Sequence, residues 1–258
     1  MHGCASAILG GGSAMRGTPS IRISFSLSCV KDACCHRICD FKFQSRWSIA
    51  FCRHGSFLTS TILRRSGYEE ATRSEIAKIV EKIPAKDLAI QWDCSTEVQD
   101  AYGGVPGYPL EGAIDRNLEQ VRNLSPHIPS DVALGYHFCF GTLGGWPRFQ
   151  PNDLGQLVNL ANAFITASGR RVDWIHIPIL DRTDESFFAP LKNLKPQGAR
   201  VYLGAIHNME RFQARIAVAR KYLPEFGLGA YCGFGRLPAS QLRKILADHL
   251  TAVDLALA

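Results

Sequence analysis

A histidine and a cysteine stand two residues apart near the middle of the chain, in the segment Gly135-Tyr136-His137-Phe138-Cys139-Phe140-Gly141. The apolar residues just before this segment predict a β-strand, in which alternate side chains point to the same face. His137 and Cys139 therefore share a face, and both are ligand types that zinc prefers. The pair by itself also fits a buried small thiol and a hydrogen-bonded core histidine. The two interpretations differ in whether other segments bring further ligands to the same place.

Five apolar segments in all predict strands, and each ends at or near a polar or reactive side chain. The strands are predicted at Leu88–Asp93, Val132–Cys139, Val172–Ile177, Val201–His207 and Phe226–Cys232. The side chains near their ends are Asp93, His137 and Cys139, His176, His207, and Cys232. In parallel α/β folds, chemistry takes place at the carboxyl ends of the strands. We therefore expect these side chains to gather at one edge of a sheet.

Segments with helical character separate the predicted strands. They are Glu69–Ile83, Glu111–Leu124, 152–167, Glu185–Leu194, Met209–Tyr222 and Ala239–Leu257. Strands with near-continuous apolar character that alternate with helices predict a parallel sheet covered by helices. No G-x-G-x-x-G fingerprint follows the first of these strands and no P-loop is present, which argues against a dinucleotide or a nucleoside triphosphate as ligand.

The charge of the chain is unevenly distributed. The net charge is +6, but residues 1–65 hold nine basic and two acidic residues, whereas residues 66–258 hold twenty basic and twenty-one acidic residues. A nearly neutral body argues against a nucleic-acid surface there. No apolar run approaches the roughly 18 residues of a membrane span. Nine cysteines, of which the three in the body are far apart in sequence, argue against a secreted disulfide framework and favour a reducing compartment.

The chain divides into an N-terminal segment, residues 1–65, and a body, residues 66–258. The N-terminal segment shows no sustained periodicity, and three interpretations fit it. A mitochondrial transit peptide would be rich in Arg and Ser and poor in acids. A small zinc module could use Cys34, Cys39, Cys52 and His54, although their spacing lacks a paired C-x2-C. A poorly ordered or non-native start is the interpretation we favour, and it makes the cytoplasm the expected location, ahead of the mitochondrion.

The motifs of the body resemble the C-terminal catalytic barrel of cobalamin-independent methionine synthase, in the superfamily that includes uroporphyrinogen decarboxylase. The segment that contains His137 and Cys139 is similar to the family's His-x-Cys-Tyr zinc segment. The segment Tyr-Cys-Gly-Phe-Gly-Arg around Cys232 resembles the family's Asp-Cys-Gly-Leu segment. The resemblance implies a zinc cofactor held by these three residues. His176 could be a fourth ligand because imidazole suits zinc, but it could equally be a core histidine or a hydrogen-bonding partner of a ligand.

Two further segments extend the resemblance to the reaction itself. Gly-Ala-Ile-His-Asn is similar to the family's Asp-Ile-His-Ser, which implies that His207 serves as an acid during methyl transfer. Ile-Gln-Trp-Asp resembles the family's Gln-Ile-Asp-Glu-Pro, which implies that Asp93 holds the amino group of the substrate, with Gln91 as a second substrate-binding candidate. Asp93 also fits an ordinary strand-end acid that caps the next turn. The expected activity is zinc-dependent transfer of a methyl group from a donor, not identified by the sequence, to a small homocysteine-like thiol.

The sequence also departs from the family at three places. The position of the family's glutamate zinc ligand falls near Pro178, where no acid is present, and Asp93 is followed by Cys94-Ser95 instead of Glu-Pro. The family barrel has eight strands, whereas five are predicted here. The resemblance thus implies an incomplete TIM-type (β/α) barrel of five βα units. Two alternatives to the methyltransferase remain: an inactive or partner-dependent truncated barrel, and a decarboxylase or other lyase on the same scaffold.

Overall fold

A computed structural model describes residues 23–26, 39–43 and 58–257, except for residue 143 and residues 234–236. Most of the cysteine cluster of the N-terminal segment, including Cys34, Cys52 and His54, lies outside the described residues. The same is true of most of the expected transit sequence. The three interpretations of residues 1–65 therefore stay predictions.

Seven strands form one sheet, and their order in space follows their order along the chain. The strands are β1 (Ile23–Ser26), β2 (Cys39–Phe43), β3 (Leu88–Cys94), β4 (Ala133–Phe138), β5 (Trp174–Pro178), β6 (Arg200–Ile206) and β7 (Gly227–Ala230). β1 is antiparallel to β2, and every neighbouring pair from β2 to β7 is parallel. The predicted parallel α/β sheet is confirmed for β3 to β7, whereas β1 and β2 come from the segment in which no strand was expected.

Helices alternate with the strands from β3 onward. They are α1 (Leu58–Lys82), α2 (Thr96–Ala101), α3 (Ala113–Leu124), α4 (Gly155–Ala167), α5 (Glu185–Phe188), α6 (Phe212–Tyr222) and α7 (Ala239–Leu257). α1 crosses the expected boundary at residue 65, and the short α2 was not predicted. The helix expected over Glu185–Leu194 is α5 followed by a 3-10 turn at Ala189–Asn193. None of the described helices is both long and apolar enough to cross a membrane.

The two faces of the sheet differ in chemistry, because side chains alternate along each strand. The face that packs against the helices is apolar and almost fully buried, and it carries Ile90, Trp92, Leu134, Tyr136, Phe138, Ile175, Ile177 and Leu203. The other face carries polar and aromatic side chains, namely Gln91, Asp93, His137, Trp174, His176 and Tyr202. The apolar face provides the core that holds the strands in register, so it fixes the positions of the polar side chains on the other face.

The sheet curls toward its polar face. Cys139 and Cys232 follow β4 and β7, which are separated by three inter-strand gaps, or about 14 Å in a flat sheet. Their Cα atoms are only 6.9 Å apart. A hydrogen bond of 3.1 Å between His176 Nε2 and the Ala230 carbonyl also connects β5 to β7 across β6. This curvature is consistent with part of a TIM-type barrel, and no pairing of β7 with β1 occurs within the described residues.

Candidate metal centre

Three of the predicted ligands meet at the carboxyl end of the sheet. The ligand atoms of His137, Cys139 and Cys232 all lie within 4.8 Å of one another. His137 and Cys139 are buried, and Cys232 is half-buried. A soft set of one imidazole and two sulfurs suits zinc, and three protein ligands leave a fourth position open, as in catalytic zinc sites. Among the described residues, no carboxylate belongs to this cluster.

The state of the two cysteines differs from the expectation. The Sγ atoms of Cys139 and Cys232 are in bonding contact, so the structure joins them as a disulfide. The sequence predicted no such bond because the two residues are 93 positions apart, but the curl of the sheet brings them together. Metal binding by both sulfurs requires the reduced pair, since only the thiolate is a ligand for zinc. Cys94, the third cysteine of the body, is a buried free thiol.

Two glycine turns place the cysteines. Gly141 has φ +79° and Gly233 has φ +95°, a region that favours glycine. A Cβ at Gly233 would lie 2.7 Å from Cγ2 of Thr142, so the loop after β7 packs closely on the loop after β4. The backbone N–H of Gly141 also donates to Cys139 Sγ at 3.2 Å. Such a bond favours the charged form of a thiol, as a metal site requires.

A chain of hydrogen bonds determines which nitrogen of His137 can bind a metal. His176 Nε2 donates to the Ala230 carbonyl, which can only accept, so Nδ1 of His176 carries a lone pair. His137 Nδ1 lies 2.9 Å from that atom and must be the donor. The proton of neutral His137 therefore sits on Nδ1, and the buried Nε2 presents its lone pair. A metal-binding histidine commonly has this tautomer, because a hydrogen bond from its second ring nitrogen fixes the orientation of the ring.

His176 itself occupies a space that two glycines leave open. A Cβ at Gly204 would lie 2.8 Å from its Cε1 atom, and one at Gly229 would lie 3.2 Å from its Nε2 atom. His176 is not a member of the ligand cluster, and both of its ring nitrogens take part in hydrogen bonds. The structure thus places the candidate fourth ligand behind His137, where it holds the ring.

The expected substrate-binding residues lie on the same polar face. Trp174 Nε1 donates to Gln91 Oε1 at 3.2 Å, and Gln91 Nε2 donates to Asp93 Oδ1 at 3.0 Å. Asp93 is directly opposite His137 in the register of β3 and β4. Its half-buried carboxylate is therefore held beside His137 of the candidate ligand cluster. The indole of Trp174 fills the space that Gly135 leaves on this face.

His207 follows β6 and lies beside the aromatic residues next to Cys232. Its ring is 4.8 Å from the Trp146 ring, which stacks on Tyr231 at 4.5 Å. His207 Nε2 donates to the Ile179 carbonyl at 2.8 Å. Burial, together with the nearby Arg215 guanidinium, lowers the pKa of His207 to about 4 against the weaker opposing effects of Ile179 and Asp181. At neutral pH the ring is therefore uncharged in the free protein, and the acid role that the resemblance implies stays a prediction.

Sequence reasoning missed Glu97, in the first turn of α2. Its side chain is fully buried, and neither carboxylate oxygen has a hydrogen-bond partner within the described residues. Burial raises its pKa to about 8. The backbone N–H groups of Glu97 and Thr96 lie near the carboxylate without reaching hydrogen-bond geometry and offset part of the shift, whereas repulsion from Asp100 and Asp93 adds to it. In the sequence, the burial of Glu97 is indicated only by its position between Cys94 and Val98, two residues of apolar character.

Comparisons with known proteins support the fold alone. No family model matches the chain, and no curated protein matches it. Among solved structures, the chain is similar to a Listeria monocytogenes protein provisionally named a vitamin-B12-independent methionine synthase, with a TM-score of 0.55 and 16% sequence identity. The match covers 84% of this chain and 64% of that structure. The chain therefore shares the strand and helix arrangement of part of that structure.

Proposed function

We propose that this protein is a zinc-dependent methyltransferase that acts on a small thiol in a reducing compartment. The observation that carries the proposal is the convergence of His137, Cys139 and Cys232 at the carboxyl end of a curled parallel sheet. These residues would hold the metal, with His137 binding through Nε2. Bound zinc would lower the pKa of a thiol in its open position, so that the thiolate predominates at neutral pH.

The remaining polar residues would position the substrate. Asp93 lies opposite His137 and is held by Gln91, so its carboxylate can accept charge-assisted hydrogen bonds from the ammonium group of an amino-acid thiol. In the transfer, the thiol loses its proton and its sulfur forms a bond to the methyl carbon. The bond between that carbon and the donor's leaving atom breaks, and the leaving atom takes up a proton.

His207 is the candidate source of that proton, but only in a changed state. The free ring is neutral and its Nε2 proton is engaged with the Ile179 carbonyl. Protonation of Nδ1 would require a higher pKa, which an anionic group of a bound substrate beside the ring would produce. We expect His207 to act as an acid only in the substrate complex.

Removal of either cysteine of the cluster is expected to abolish metal binding. The reduced, purified protein should contain about one zinc per chain, whereas Cys139→Ser and Cys232→Ser should contain close to none, because two ligands bind zinc far more weakly than three. Elemental analysis after dialysis against a weak chelator measures this. Cys94→Ser is the matched control, since it removes a buried thiol of the same body that lies outside the cluster.

The proposal fails if the reduced wild-type protein takes up no zinc, or if zinc persists in both cysteine variants. Far-UV circular dichroism of each variant separates a lost ligand from a lost fold. A reaction of the zinc-loaded protein with homocysteine and a methyl-folate donor then tests turnover, with methionine as the measured product.

Replacement of His176 by phenylalanine should weaken zinc binding without abolishing it. The ring shape is similar, but His137 Nδ1 loses its hydrogen-bond acceptor, and loss of such an orienting partner typically costs 10- to 100-fold in metal affinity. Competition with a chromophoric chelator measures the affinity. His249→Phe serves as the control because this histidine lies on α7. A complete loss equal to that of Cys139→Ser would instead make His176 a ligand.

One observation favours a second candidate, a metal-binding protein without turnover. Among the described residues, the cluster lacks the carboxylate that the family uses as a further zinc ligand. Zinc binding without methionine formation, in the same experiment, would support this candidate over the methyltransferase.

A further inference from the structure

The last helix, α7, exposes an apolar stripe to solvent. Leu246 and Leu250 are 67% and 66% exposed, and Leu242 and Val253 are 42% and 39% exposed. Four residues spaced by four, four and three lie along one face of a helix. They extend over about 16 Å of its length. Large exposed side chains in one continuous row, unlike scattered ones, indicate a contact surface.

The opposite side of α7 packs against the core. Ala252 is fully buried in the core, and Leu255 packs against it. Arg220 of α6 donates to the Ala256 carbonyl at 3.1 Å, which anchors the end of the helix. The stripe therefore cannot turn inward without detaching α7 from the sheet, so it is available for contact with another chain or segment.

The charges beside the stripe favour one arrangement of the occupant. Arg243 and Asp254 are both exposed and border the stripe on the same side, near its opposite ends. The midpoint between them, near residue 248, coincides with the midpoint of the stripe. An antiparallel α7 from a second copy, centred there, places each Arg243 beside the Asp254 of the other copy. A parallel pairing about a two-fold axis would place the two copies of this flank on opposite sides of the interface, where Arg243 and Asp254 could not meet.

We infer that two copies of this chain associate through their α7 helices, packed antiparallel about a two-fold axis near residue 248. The interface is self-complementary, as two-fold symmetry requires. Residues 1–57 of the same chain fit less well as occupant, because that segment is strongly basic whereas α7 carries two basic and two acidic residues. Its electrostatic fit to α7 is thus poorer than that of a second α7.

The association state of the full chain tests this inference. Sedimentation equilibrium of the wild-type protein should give twice the mass of one chain, and Leu246→Asp/Leu250→Asp should give a single chain. Thr251→Asp is the matched control, since Thr251 is exposed on the side of α7 away from the stripe. This control should remain dimeric, because its new charge lies outside the contact.

A charge-reversal cycle tests the antiparallel arrangement. Arg243→Glu and Asp254→Arg should each raise the dissociation constant about fivefold, since exposed ion pairs contribute modestly. The double variant should return it to the wild-type value. A monomeric wild-type protein across the micromolar range, which would leave residues 1–57 or a different protein as occupant, overturns the inference. A dimer that survives the paired aspartates also overturns it, and an unrescued double variant overturns the antiparallel arrangement.

Discussion

Replacement of Gly135 by alanine is expected to destabilise the protein by about 3 kcal/mol, at the upper end of the usual overpacking cost. A Cβ at this position would lie 1.9 Å from Cε2 of Trp174 and 2.3 Å from its Nε1 atom. The indole cannot move aside freely because its Nε1 donates a hydrogen bond to Gln91. The backbone of β4 cannot shift either, because parallel pairing holds it on both sides. Urea denaturation, monitored by tryptophan fluorescence, measures the change.

The same substitution should weaken zinc binding, since His137 lies two residues further along β4. Gly67→Ala is the matched control: Gly67 lies in α1, and nothing is within 4 Å of an added Cβ. Alanine there should leave zinc binding unchanged and stabilise the protein by about 0.5 to 1 kcal/mol, because it reduces the freedom of the unfolded chain. A stability of Gly135→Ala within error of wild type would contradict the close packing of Trp174 on β4.

Glu97 should make the protein less stable as the pH rises from about 4.5 to 8. The pKa of this carboxyl group is raised by burial from 4.5 to about 8, so the folded state holds a proton that the unfolded state releases. A folded-state pKa above the unfolded value gives stability that is complete below pH 4.5 and is lost as the pH passes 8. At about 1.4 kcal/mol per pH unit, the loss is on the order of 5 kcal/mol.

Glu97→Gln is expected to remove this slope, because the amide does not titrate. The variant should be no more stable than wild type near pH 5 and clearly more stable near pH 8, where wild type must bury a charge. Urea midpoints at several pH values measure both. Glu111→Gln is the control, since this exposed carboxylate should not change the slope. Parallel pH profiles for wild type and Glu97→Gln would disprove the burial argument.

Local sequence patterns were sufficient to predict much of the fold. β3 to β7 were identified from apolar runs because a strand buried by helices must be apolar almost throughout. The ends were less well predicted: β4 ends at Phe138 and β7 at Ala230, so Cys139 and Cys232 lie in loops. Strand termination depends on the pairing partner as well as on the residues themselves. The pairing of β2 with β3 is likewise a long-range contact that no local periodicity reveals.

For the candidate site, the sequence determined the donor types and their place at the carboxyl ends of the strands. His137, Cys139 and Cys232 were predicted together, and they do meet. The state of these groups depends on their neighbours in space. The tautomer of His137 is set by His176 and Ala230, the pKa of His207 by burial and Arg215, and the burial of Glu97 by the packing of α2.

Local patterns along the chain therefore predict a parallel α/β sheet and the chemical identity of a soft candidate ligand set at its edge. They do not reveal that the sheet curls until Cys139 and Cys232, which follow β4 and β7, are in contact. Nor do they reveal that the gap beside Gly135 is filled by Trp174. Side-chain alternation and the apolar content of a strand depend on residues that are neighbours in the chain. The curvature of the sheet, the burial of side chains and the tautomers of the histidines depend on contacts between distant segments.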